Sequence, residues 1–302
     1  MADFKNKKVF YGDKFIPFGQ ANLSIASSAV LYGLSVYTVF PINKTTKGLA
    51  AFRLNEHFSR LVDSAHIIGM DSFAGQWTYN KFLNKVKELA SVNGVDEDVF
   101  VRASVHIDAI LPGTKSRGLS HVLSMFIYPS EPIVPQSGCR LKTSLWRRVS
   151  DNSIPARAKV NGAYVNSVLA KQDAIDSGYD DCVFLDTAGH VCESSAANIF
   201  LIRDGVLITP DTTSDLLEGI NRKTVIHIAK DLGIPVEQRL VDLTELYIAD
   251  EVFLCGTSAY IAPVIEIDSR KISTSNPQIV QKIQEKYQYV THSADSKFLQ
   301  FL

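Results

Sequence analysis

The sequence predicts a mixed α/β (α+β) protein of two domains. The chain has 302 residues, of which 46% are hydrophobic, and this is enough to bury a large core. Strand-like and helix-like segments alternate along both halves of the chain. Residues 129–138 contain three prolines and no helical period, which is typical of a linker. We therefore predict an N-terminal domain at 1–128, an interdomain linker at 129–138 and a C-terminal domain at 139–302.

The N-terminal half is predicted to begin with a β-hairpin. Residues 8–11 and 15–18 have strand composition, and the Gly-Asp pair between them favours a tight turn. The next segment, 27–40, begins like a helical turn and ends with the β-branched and aromatic residues of a strand. Polar residues then predict a turn at 43–48, followed by a strand at 49–52.

Two helices are predicted after this strand. Apolar residues recur at helical spacing over 58–68, and Asn55 is a suitable N-cap for that helix. The second helix starts at Thr78 and stops before Gly94. Strands are predicted to follow at 99–105 and 122–128.

Beyond the linker the predicted elements alternate again. A hairpin that turns at Ala188 and Gly189 carries its second strand at 193–200. The predicted helices lie at 164–177, 220–232 and 277–289. The other predicted strands lie at 182–185, 199–203, 206–209 and 251–255.

Composition and charge narrow the classes of function. The formal net charge is −1 and no basic stripe is interleaved with aromatic residues, so we expect no nucleic-acid partner. The lysines near the N-terminus are not followed by an apolar stretch, and no window approaches the roughly 18 apolar residues of a spanning helix, so we expect neither a secretory signal nor a membrane partner. The cysteines show no CxxC pair and indicate buried thiols in a reducing cytoplasm: Cys139, Cys182, Cys192 and Cys255.

The stretch from Lys159 to Phe200 carries the residues with the clearest chemistry. Lys159 stands before a glycine-containing turn and a helix, and Glu193 lies on a hairpin strand able to return beside it. A lysine amine holds an aldehyde cofactor as a Schiff base and then moves protons as a general base. A carboxylate against the ring nitrogen of pyridoxal 5′-phosphate (PLP) keeps that nitrogen protonated, so the ring accepts the electrons left when the substrate loses its α-proton. The pair predicts a PLP site, and no metal is expected.

The motifs around this pair resemble those of the fold-type-IV PLP enzymes. These are the branched-chain aminotransferases, D-amino-acid aminotransferases, aminodeoxychorismate lyases and (R)-amine transaminases. The resemblance implies a small N-terminal α/β domain and a larger C-terminal domain with a β-barrel-like core. It extends over nearly the whole chain, and its central blocks are Lys159-Val-Asn-Gly-Ala-Tyr164-Val-Asn-Ser, Gly178-Tyr179-Asp180, Leu185-Asp186 and Glu193-Ser-Ser-Ala-Ala-Asn198-Ile-Phe.

The resemblance also implies which residues hold the cofactor. Lys159 would be the Schiff-base lysine, Glu193 the partner of the ring nitrogen, and Tyr164 the phenol that hydrogen-bonds the ring hydroxyl. Arg60 would grip the phosphate, since a planar guanidinium matches phosphate oxygens bidentately, whereas Arg53 is expected to be structural.

Two further segments are implied to bind the cofactor. A glycine before a helix leaves N–H groups facing an anion, and Asn221 stands where the family usually has threonine or serine, although its amide can still donate. The residues of these segments are Leu217, Gly219, Ile220 and Asn221, followed later in the chain by Thr257.

Substrate contacts are implied for six residues. Arg102 would organise the carboxylate of 2-oxoglutarate, as in the branched-chain enzymes, and arginine at this position counts against a lyase. The family's Phe-Glu-Gly is replaced by Tyr37-Thr38-Val39, and Tyr-x-Val is closer to the D-amino-acid and (R)-amine enzymes. The loop at 106–117 lacks the Arg-x-His cluster of the D-amino-acid enzymes. The six residues are Tyr32, Tyr37, Val39, Arg102, Ser258 and Ala259.

We therefore predict a PLP-dependent transaminase that moves amino groups between branched-chain L-amino acids and 2-oxoglutarate by a ping-pong cycle through Lys159. A D-amino-acid or (R)-primary-amine transaminase of the same fold is the alternative, and a non-catalytic binding protein is a remote one. The expected partners are small-molecule amino donors and oxo acids. The resemblance further implies a homodimer or higher homo-oligomer in which the partner closes the pocket.

Overall fold

The computed structural model describes residues 7–272 and 278–302. Within these ranges the chain divides into two compact units. The first contains the residues up to Ser130 together with Ala158–Ala163 and Thr291–Leu302. The second contains Glu131–Arg157 and the described residues from Tyr164 to Val290.

The boundary after Ser130 lies inside the segment that the sequence predicts as a linker. Two short segments, Ala158–Ala163 and Thr291–Leu302, belong to the first unit, although the sequence predicts them in the C-terminal domain. Val160 forms a β-bridge with Val36, and Leu299–Phe301 pairs with the strand Gly48–Phe52. Long-range backbone pairing therefore puts both segments in the first unit, and such pairing has no signature along the chain.

The elements are as follows. The strands are β1 (Lys8–Tyr11), β2 (Lys14–Pro17), β3 (Ser35–Thr45), β4 (Gly48–Phe52), β5 (Val99–Ile107), β6 (His121–Pro129), β7 (Cys139–Thr143), β8 (Asp181–Leu185), β9 (Val191–Ser194), β10 (Asn198–Arg203), β11 (Val206–Pro210), β12 (Val236–Arg239), β13 (Glu251–Gly256), β14 (Tyr260–Ile267), β15 (Arg270–Lys271) and β16 (Leu299–Phe301). The helices are α1 (Ser28–Leu31), α2 (Leu54–Ile67), α3 (Ser72–Gln76), α4 (Tyr79–Val92), α5 (Tyr164–Asp176), α6 (Ile220–Asp231), α7 (Leu243–Tyr247) and α8 (Gln278–His292).

The first unit is built on a seven-stranded antiparallel sheet with the order β16-β4-β3-β5-β6-β1-β2. The predicted N-terminal hairpin is confirmed, with Tyr11 of β1 opposite Lys14 of β2. The turn predicted at 43–48 is shorter than expected. Its first residues continue β3 because they pair with β4, with Asn43 opposite Ala50 and Thr45 opposite Gly48.

Helices α2 and α4 bury their apolar stripes in the core of this unit. Leu61 of α2 and Phe82 of α4 are fully buried there with Phe40 of β3. Thr78 caps α4, as the sequence predicts, by accepting a hydrogen bond from Lys81 N at 3.3 Å. The apolar stripes of the two helices therefore cover one face of the sheet.

The predicted N-cap of α2 was wrong. The helix begins at Leu54, directly after Arg53, which has the left-handed φ of 47°. The chain therefore turns sharply from β4 into α2 at Arg53, and Asn55 is already inside the helix. A polar residue near a helix start favours a cap, but the tight strand-to-helix connection decides where the helix begins.

The second unit is built on a nine-stranded mixed sheet with the order β12-β11-β10-β13-β14-β7-β8-β9, to which β15 adds on β14. Strand β7 runs parallel to both β8 and β14, whereas β10 is antiparallel to β11 and β13. The mixed α/β fold with a curled, half-barrel sheet confirms the predicted fold class. Fully buried apolar residues of the strands form the core, among them Leu141, Ile199 and Leu254.

The strand predicted at 193–200 is two strands. Strand β9 ends at Ser194 and pairs with β8, whereas β10 begins at Asn198 and pairs with β11 and β13. Ser194 N donates to Ala197 O at 2.8 Å and closes the turn between them. This turn brings the Asn198 side chain to Glu193. The break contains neither glycine nor proline, the residues that mark turns most strongly, so the sequence pattern does not reveal it.

Two sequence expectations concern the surface and the cysteines. In the described part of the chain, no helix is both long enough and apolar enough to cross a membrane. All four cysteines are free and buried. Burial raises the pKa of the Cys139 thiol to about 12, so this thiol stays protonated at neutral pH. Pro277, the predicted first residue of the last helix, lies outside the described residues.

Candidate active site

The backbone around Lys159 is fixed within the first unit. Tyr37 N donates to Lys159 O at 3.0 Å, and Lys159 N donates to the Ser64 hydroxyl at 3.1 Å. Asn161 N donates to Ser35 O at 2.8 Å. The lysine therefore projects from backbone that β3 and α2 hold in place.

Two glycines allow this close approach. Gly162 N donates to Gly33 O at 3.3 Å, and a Cβ at Gly33 would lie 2.8 Å from Gly162 Cα. Gly33 also has a φ of +67°, which residues with side chains rarely adopt. The glycine in the predicted lysine motif thus brings the Lys159 segment against the connection between α1 and β3.

Two cations lie over the ring of Tyr37. Arg102 Cζ is 3.6 Å and Lys159 Nζ is 4.8 Å from the ring centroid. Val39 lies on the same face of β3, directly opposite Arg102 of β5. The first unit thus brings four predicted site residues together, which we call the Tyr37 cluster: Tyr37, Val39, Arg102 and Lys159.

Arg60 contacts a buried polar pair on the other face of β3. Its Nη2 donates to Thr38 Oγ1 at 3.3 Å, and Thr38 Oγ1 lies 2.8 Å from His57 Nδ1. The hydroxyl accepts from Arg60 and can also exchange a hydrogen bond with Nδ1 in either direction, depending on the tautomer of the imidazole. Burial, and then the cations of Arg60 and Lys159, hold the pKa of His57 well below its usual 6.5. The histidine is therefore a neutral imidazole at the end of a hydrogen-bonded chain that starts at Arg60.

Arg53 has separate contacts. Its guanidinium lies 4.0 Å from the centroid of the Phe298 ring and donates to Glu56 at 2.7 Å. These contacts join the start of α2 to the C-terminal segment of the same unit. They give Arg53 a structural role.

Glu193 is buried in the second unit, where three donors meet its carboxylate. Arg148 Nη2 lies 2.9 Å from Oε1. Asn198 Nδ2 and Leu217 N lie 3.2 Å and 3.3 Å from Oε2. Since the side chain of Glu193 is only 7% exposed, the arginine and the two N–H groups compensate a charge that water hardly reaches.

Asn198 also shapes the turn before α6. Its amide donates to Leu217 O at 3.0 Å, and a Cβ at Gly219 would collide with its Oδ1. Gly219 precedes the first helical residue, Ile220, and makes no side-chain cap. Ile220 and Asn221 therefore form the first turn of α6, directly after this turn and next to the segment that binds Glu193. The backbone N–H groups of a first helical turn have no acceptor within the helix.

The segment after β13 is anchored within the same unit. Ile133 N donates to Ser258 O at 2.9 Å, and the Gln136 amide donates to Ala259 O at 3.1 Å. Thr257 starts this segment, and Ala259 is fully buried. The segment 131–136, predicted as part of a linker, therefore serves as a support for Thr257 to Ala259.

The other two tyrosines predicted for the site, Tyr164 and Tyr32, are more exposed than Tyr37. Tyr164 is the first residue of α5 in the second unit and is partly buried. Tyr32 follows α1 in the first unit and is 44% exposed. Neither is packed into the core of its own unit.

Four residues in these networks were not predicted from the sequence as site residues. Arg148 lies in an irregular segment, and its neighbour in the sequence is another arginine, so nothing marks it out. Asn198 and Thr38 lie within motifs of the family, and His57 lies three residues before Arg60. A polar residue within an otherwise apolar strand or helix face is the signal that could have found them, and all three are buried.

Comparisons with known proteins agree over nearly the full chain. The sequence model of the family described as amino-transferase class IV matches residues 35–267. A protein of Aquifex aeolicus named "Probable branched-chain-amino-acid aminotransferase" is 36% identical over 292 residues, which cover 95% of this chain and 93% of that protein.

Solved structures give the same result. The branched-chain aminotransferase of the archaeon Thermoproteus uzoniensis, with norvaline, has a TM-score of 0.91 and 35% identity and covers 97% of this chain and 98% of that one. The branched-chain amino acid aminotransferase of Thermobaculum terrenum, in its PLP-form, has a TM-score of 0.90 and 29% identity and covers 99% of this chain and 99% of that one.

Proposed function

This chain belongs to the class IV aminotransferases, and on that basis we propose that it moves amino groups between branched-chain L-amino acids and 2-oxoglutarate. It is a PLP-dependent aminotransferase whose substrates are small amino and oxo acids. The observation that carries the choice of acceptor is the Tyr37 cluster, where Arg102 and Lys159 lie over one ring. A fixed guanidinium near the reacting amine is suited to bind the second carboxylate of a dicarboxylic acceptor such as 2-oxoglutarate.

The residues of each unit fit the cofactor. In the second unit, the buried carboxylate of Glu193 is compensated by Arg148 and is suited to a protonated ring nitrogen. Ile220 and Asn221 offer first-turn N–H groups to a phosphate. In the first unit, Arg60 offers a guanidinium supported by Thr38. When bound, PLP supplies an electron sink for chemistry at the α-carbon.

Lys159 moves the proton. Its Nζ takes the proton from the α-carbon of the amino donor and, in the second half of the cycle, returns one to the α-carbon derived from the oxo acid. Its ammonium group lies 4.8 Å from the centroid of the Tyr37 ring, which is a cation–π contact. The roles implied for Tyr164, Leu217, Thr257, Ser258 and Ala259 are part of this proposal.

The names of the relatives support branched-chain donors. The Aquifex aeolicus protein and both solved structures are named for branched-chain substrates. Tyr37 and Val39 present an aromatic and an aliphatic side chain on one face of β3, which suits an apolar substrate side chain.

A D-amino-acid or (R)-primary-amine transaminase is the second candidate. The observation that favours it is Val39, which is 8% exposed opposite Arg102 and adds a side chain where the branched-chain family has glycine. Adding methyl groups to a packed site destabilises the packing by about 1–3 kcal/mol. A substrate of a different shape avoids that cost, so Val39 favours a change of substrate.

A panel of single amino donors tests both candidates. The holoenzyme is mixed with each donor, and the visible absorption of its cofactor is followed. We expect L-leucine, L-isoleucine, L-valine and L-glutamate to deplete the absorption band, and D-alanine and (R)-1-phenylethylamine to leave it. The opposite result would select the second candidate.

A covalent label tests the assignment of Lys159. Borohydride reduction of the holoenzyme should fix the cofactor mass on the peptide that contains Lys159, as read by mass spectrometry. The Lys159→Ala variant should carry no such mass and should not turn over. A colourless protein that PLP does not change would support a non-catalytic binding protein instead.

A homodimer or higher homo-oligomer is also part of the proposal. In the first unit, exposed apolar residues lie on adjacent segments: Ile25 is 84% and Leu111 72% exposed, and Leu111 N donates to Ala26 O at 3.1 Å. In the second unit, Leu145, Val165 and Val168 are also exposed. Apolar surface that is grouped in this way marks contacts with other molecules, and a symmetric subunit contact would cover it. The free, buried thiols support a cytoplasmic location.

A further inference from the structure

Asn161 connects the lysine segment to Arg102. Arg102 Nη2 donates to Asn161 Oδ1 at 2.6 Å, and Asn161 Nδ2 donates to Ser35 Oγ at 2.7 Å. A guanidinium has only donors, so the amide oxygen must face Arg102 and the amide nitrogen must face Ser35. With its backbone N also bonded to Ser35 O at 2.8 Å, Asn161 has one orientation.

Arg102 is therefore held from two directions. The Tyr37 ring supports the guanidinium plane at 3.6 Å, and Asn161 fixes one of its terminal nitrogens. The bond to Asn161 uses one of the five N–H donors of the group. A side chain held in this way loses little further freedom when it binds an anion.

The charge of Arg102 is not cancelled by its support. Asn161 is neutral, and among residues 7–272 and 278–302 no carboxylate forms an ion pair with Arg102. An aspartate at position 161 would accept the same hydrogen bond but would neutralise the guanidinium. The amide thus orients the cation and leaves its charge for a ligand.

The position of Arg102 limits which ligand group it can meet. Arg102 and Lys159 lie over the same ring, so their cationic groups are separated by no more than the sum of their distances to it. A five-carbon dicarboxylate is long enough to place its α-carbon at Lys159 and its second carboxylate at Arg102. The side chain of leucine ends in methyl groups and has nothing for a guanidinium to bind.

We infer that Asn161 is a positioning residue that orients Arg102 for the second carboxylate of glutamate and 2-oxoglutarate and so sets their affinity separately from that of the branched-chain substrates. This inference rests on the proposed function. It goes beyond it by assigning the discrimination between the two substrate classes to a neutral side chain that acts through Arg102.

Two substitutions separate orientation from charge. Asn161→Ala removes the support of Arg102, and Asn161→Asp keeps an acceptor but adds a negative charge. The matched control is Asn93→Ala in the same unit, which removes an amide with three hydrogen bonds to Lys8 and Leu89 and has none to Arg102. Thermal melting of each variant shows that it is folded.

Binding of two inhibitors to the holoenzymes, measured by calorimetry, provides the first readout. Glutarate represents the dicarboxylate and 4-methylpentanoate the branched-chain acid. We expect Asn161→Ala to raise the Kd of glutarate about tenfold, as for the loss of one charged hydrogen bond, and Asn161→Asp to raise it further. The Kd of 4-methylpentanoate should change by less than about twofold in both.

Steady-state kinetics provide the second readout. Both variants should raise the KM for 2-oxoglutarate and leave the KM for L-leucine nearly unchanged. Equal changes for both inhibitors, or no change for glutarate, would overturn the role of Asn161. The proposed function fails differently: a wild-type holoenzyme that binds neither inhibitor and transfers no amino group would reject it before any variant is made.

Discussion

Single residues in both units show how the charged side chains of the candidate site are held in place. The carboxylate of Glu193 has a charged partner in Arg148, whereas Arg102 has a neutral partner in Asn161. Arg60 donates to a hydroxyl that is in turn bonded to a neutral imidazole. These differences determine which groups can meet a ligand as ions, and they lead to two predictions about single side chains.

Replacing Arg148 should destabilise the protein and weaken its cofactor binding. Arg148→Met leaves the buried carboxylate of Glu193 without its cation, and breaking a buried pair costs about 3–5 kcal/mol. Urea denaturation of the apoprotein measures this loss. Arg147→Met is the matched control, since the adjacent arginine is exposed. Equal stability of the two variants would show that the ion pair contributes nothing.

Replacing Thr38 should weaken the hold on the cofactor phosphate. Thr38→Val keeps the shape of the side chain but removes the hydroxyl between Arg60 and His57, so the guanidinium loses its support. We expect the Kd for PLP to rise about tenfold, the equivalent of one hydrogen bond.

Thr45→Val, in the exposed end of the same strand, is the control, because its hydroxyl bonds only the nearby turn at Gly48 and Lys47 in the described structure. If Thr38→Val lowers stability without changing the Kd for PLP, Thr38 is a packing residue and does not position Arg60.

At the scale of elements, the approach of the lysine segment to β3 depends on backbone geometry. Gly33→Ala adds a Cβ at 2.8 Å from Gly162 Cα and imposes a left-handed φ of +67°. Gly94→Ala carries a similar φ of +58° but meets nothing within 4 Å, so it controls for the backbone cost. That shared cost is about 1–2 kcal/mol.

We expect Gly33→Ala to lose more stability than Gly94→Ala by about 1–3 kcal/mol, the cost of overpacking, and to lose most of its turnover because the Lys159 segment is displaced. Chemical denaturation and steady-state rates measure the two effects. Equal losses in the two variants would mean that the segment yields without displacing the lysine.

The strand β5 carries a pH-dependent contribution to stability. Burial, and then the charge of Arg102, lowers the pKa of His106 to about 4, although Asp108 acts in the opposite direction. Because the unfolded histidine has a pKa of about 6.5, the unfolded chain binds more protons between these values. The contribution of His106 is therefore present above about pH 6.5 and is lost as the pH falls toward 4.

Wild-type protein should accordingly lose more stability between pH 7.5 and pH 5 than His106→Gln does, by about 2 kcal/mol. Urea denaturation at the two pH values measures the difference. Identical pH dependence of the wild type and His106→Gln would contradict the assignment.

At the scale of the whole molecule, the exposed apolar residues predict assembly. Ile25→Asp places a charge in the proposed subunit contact and should shift the protein toward monomers, as measured by sedimentation velocity. Val92→Asp, at the exposed end of α4 in the same unit, should leave the assembly unchanged. A wild-type protein that sediments as a monomer at micromolar concentration would reject the proposal.

Much of the secondary structure follows from local pattern. The hairpin of β1 and β2, the Thr78 cap of α4 and the strands β5 and β6 depend on residues close together in the chain, so the sequence predicts them well. The turn that separates β9 from β10 was missed because pairing with distant strands decides it. The left-handed start of α2 was missed because the tight connection from β4 decides it.

The sequence by itself determined the family, the fold class and the cofactor, because these depend on motifs in which a few residue types stand at set spacings. The tertiary structure alone decided that Arg148 and Asn198 compensate Glu193 and that Asn161 and Tyr37 hold Arg102. Each of these contacts joins residues that are separated in the chain or indistinguishable from their neighbours in it. A hydrogen bond depends on distance and angle in space, and only the folded backbone supplies those.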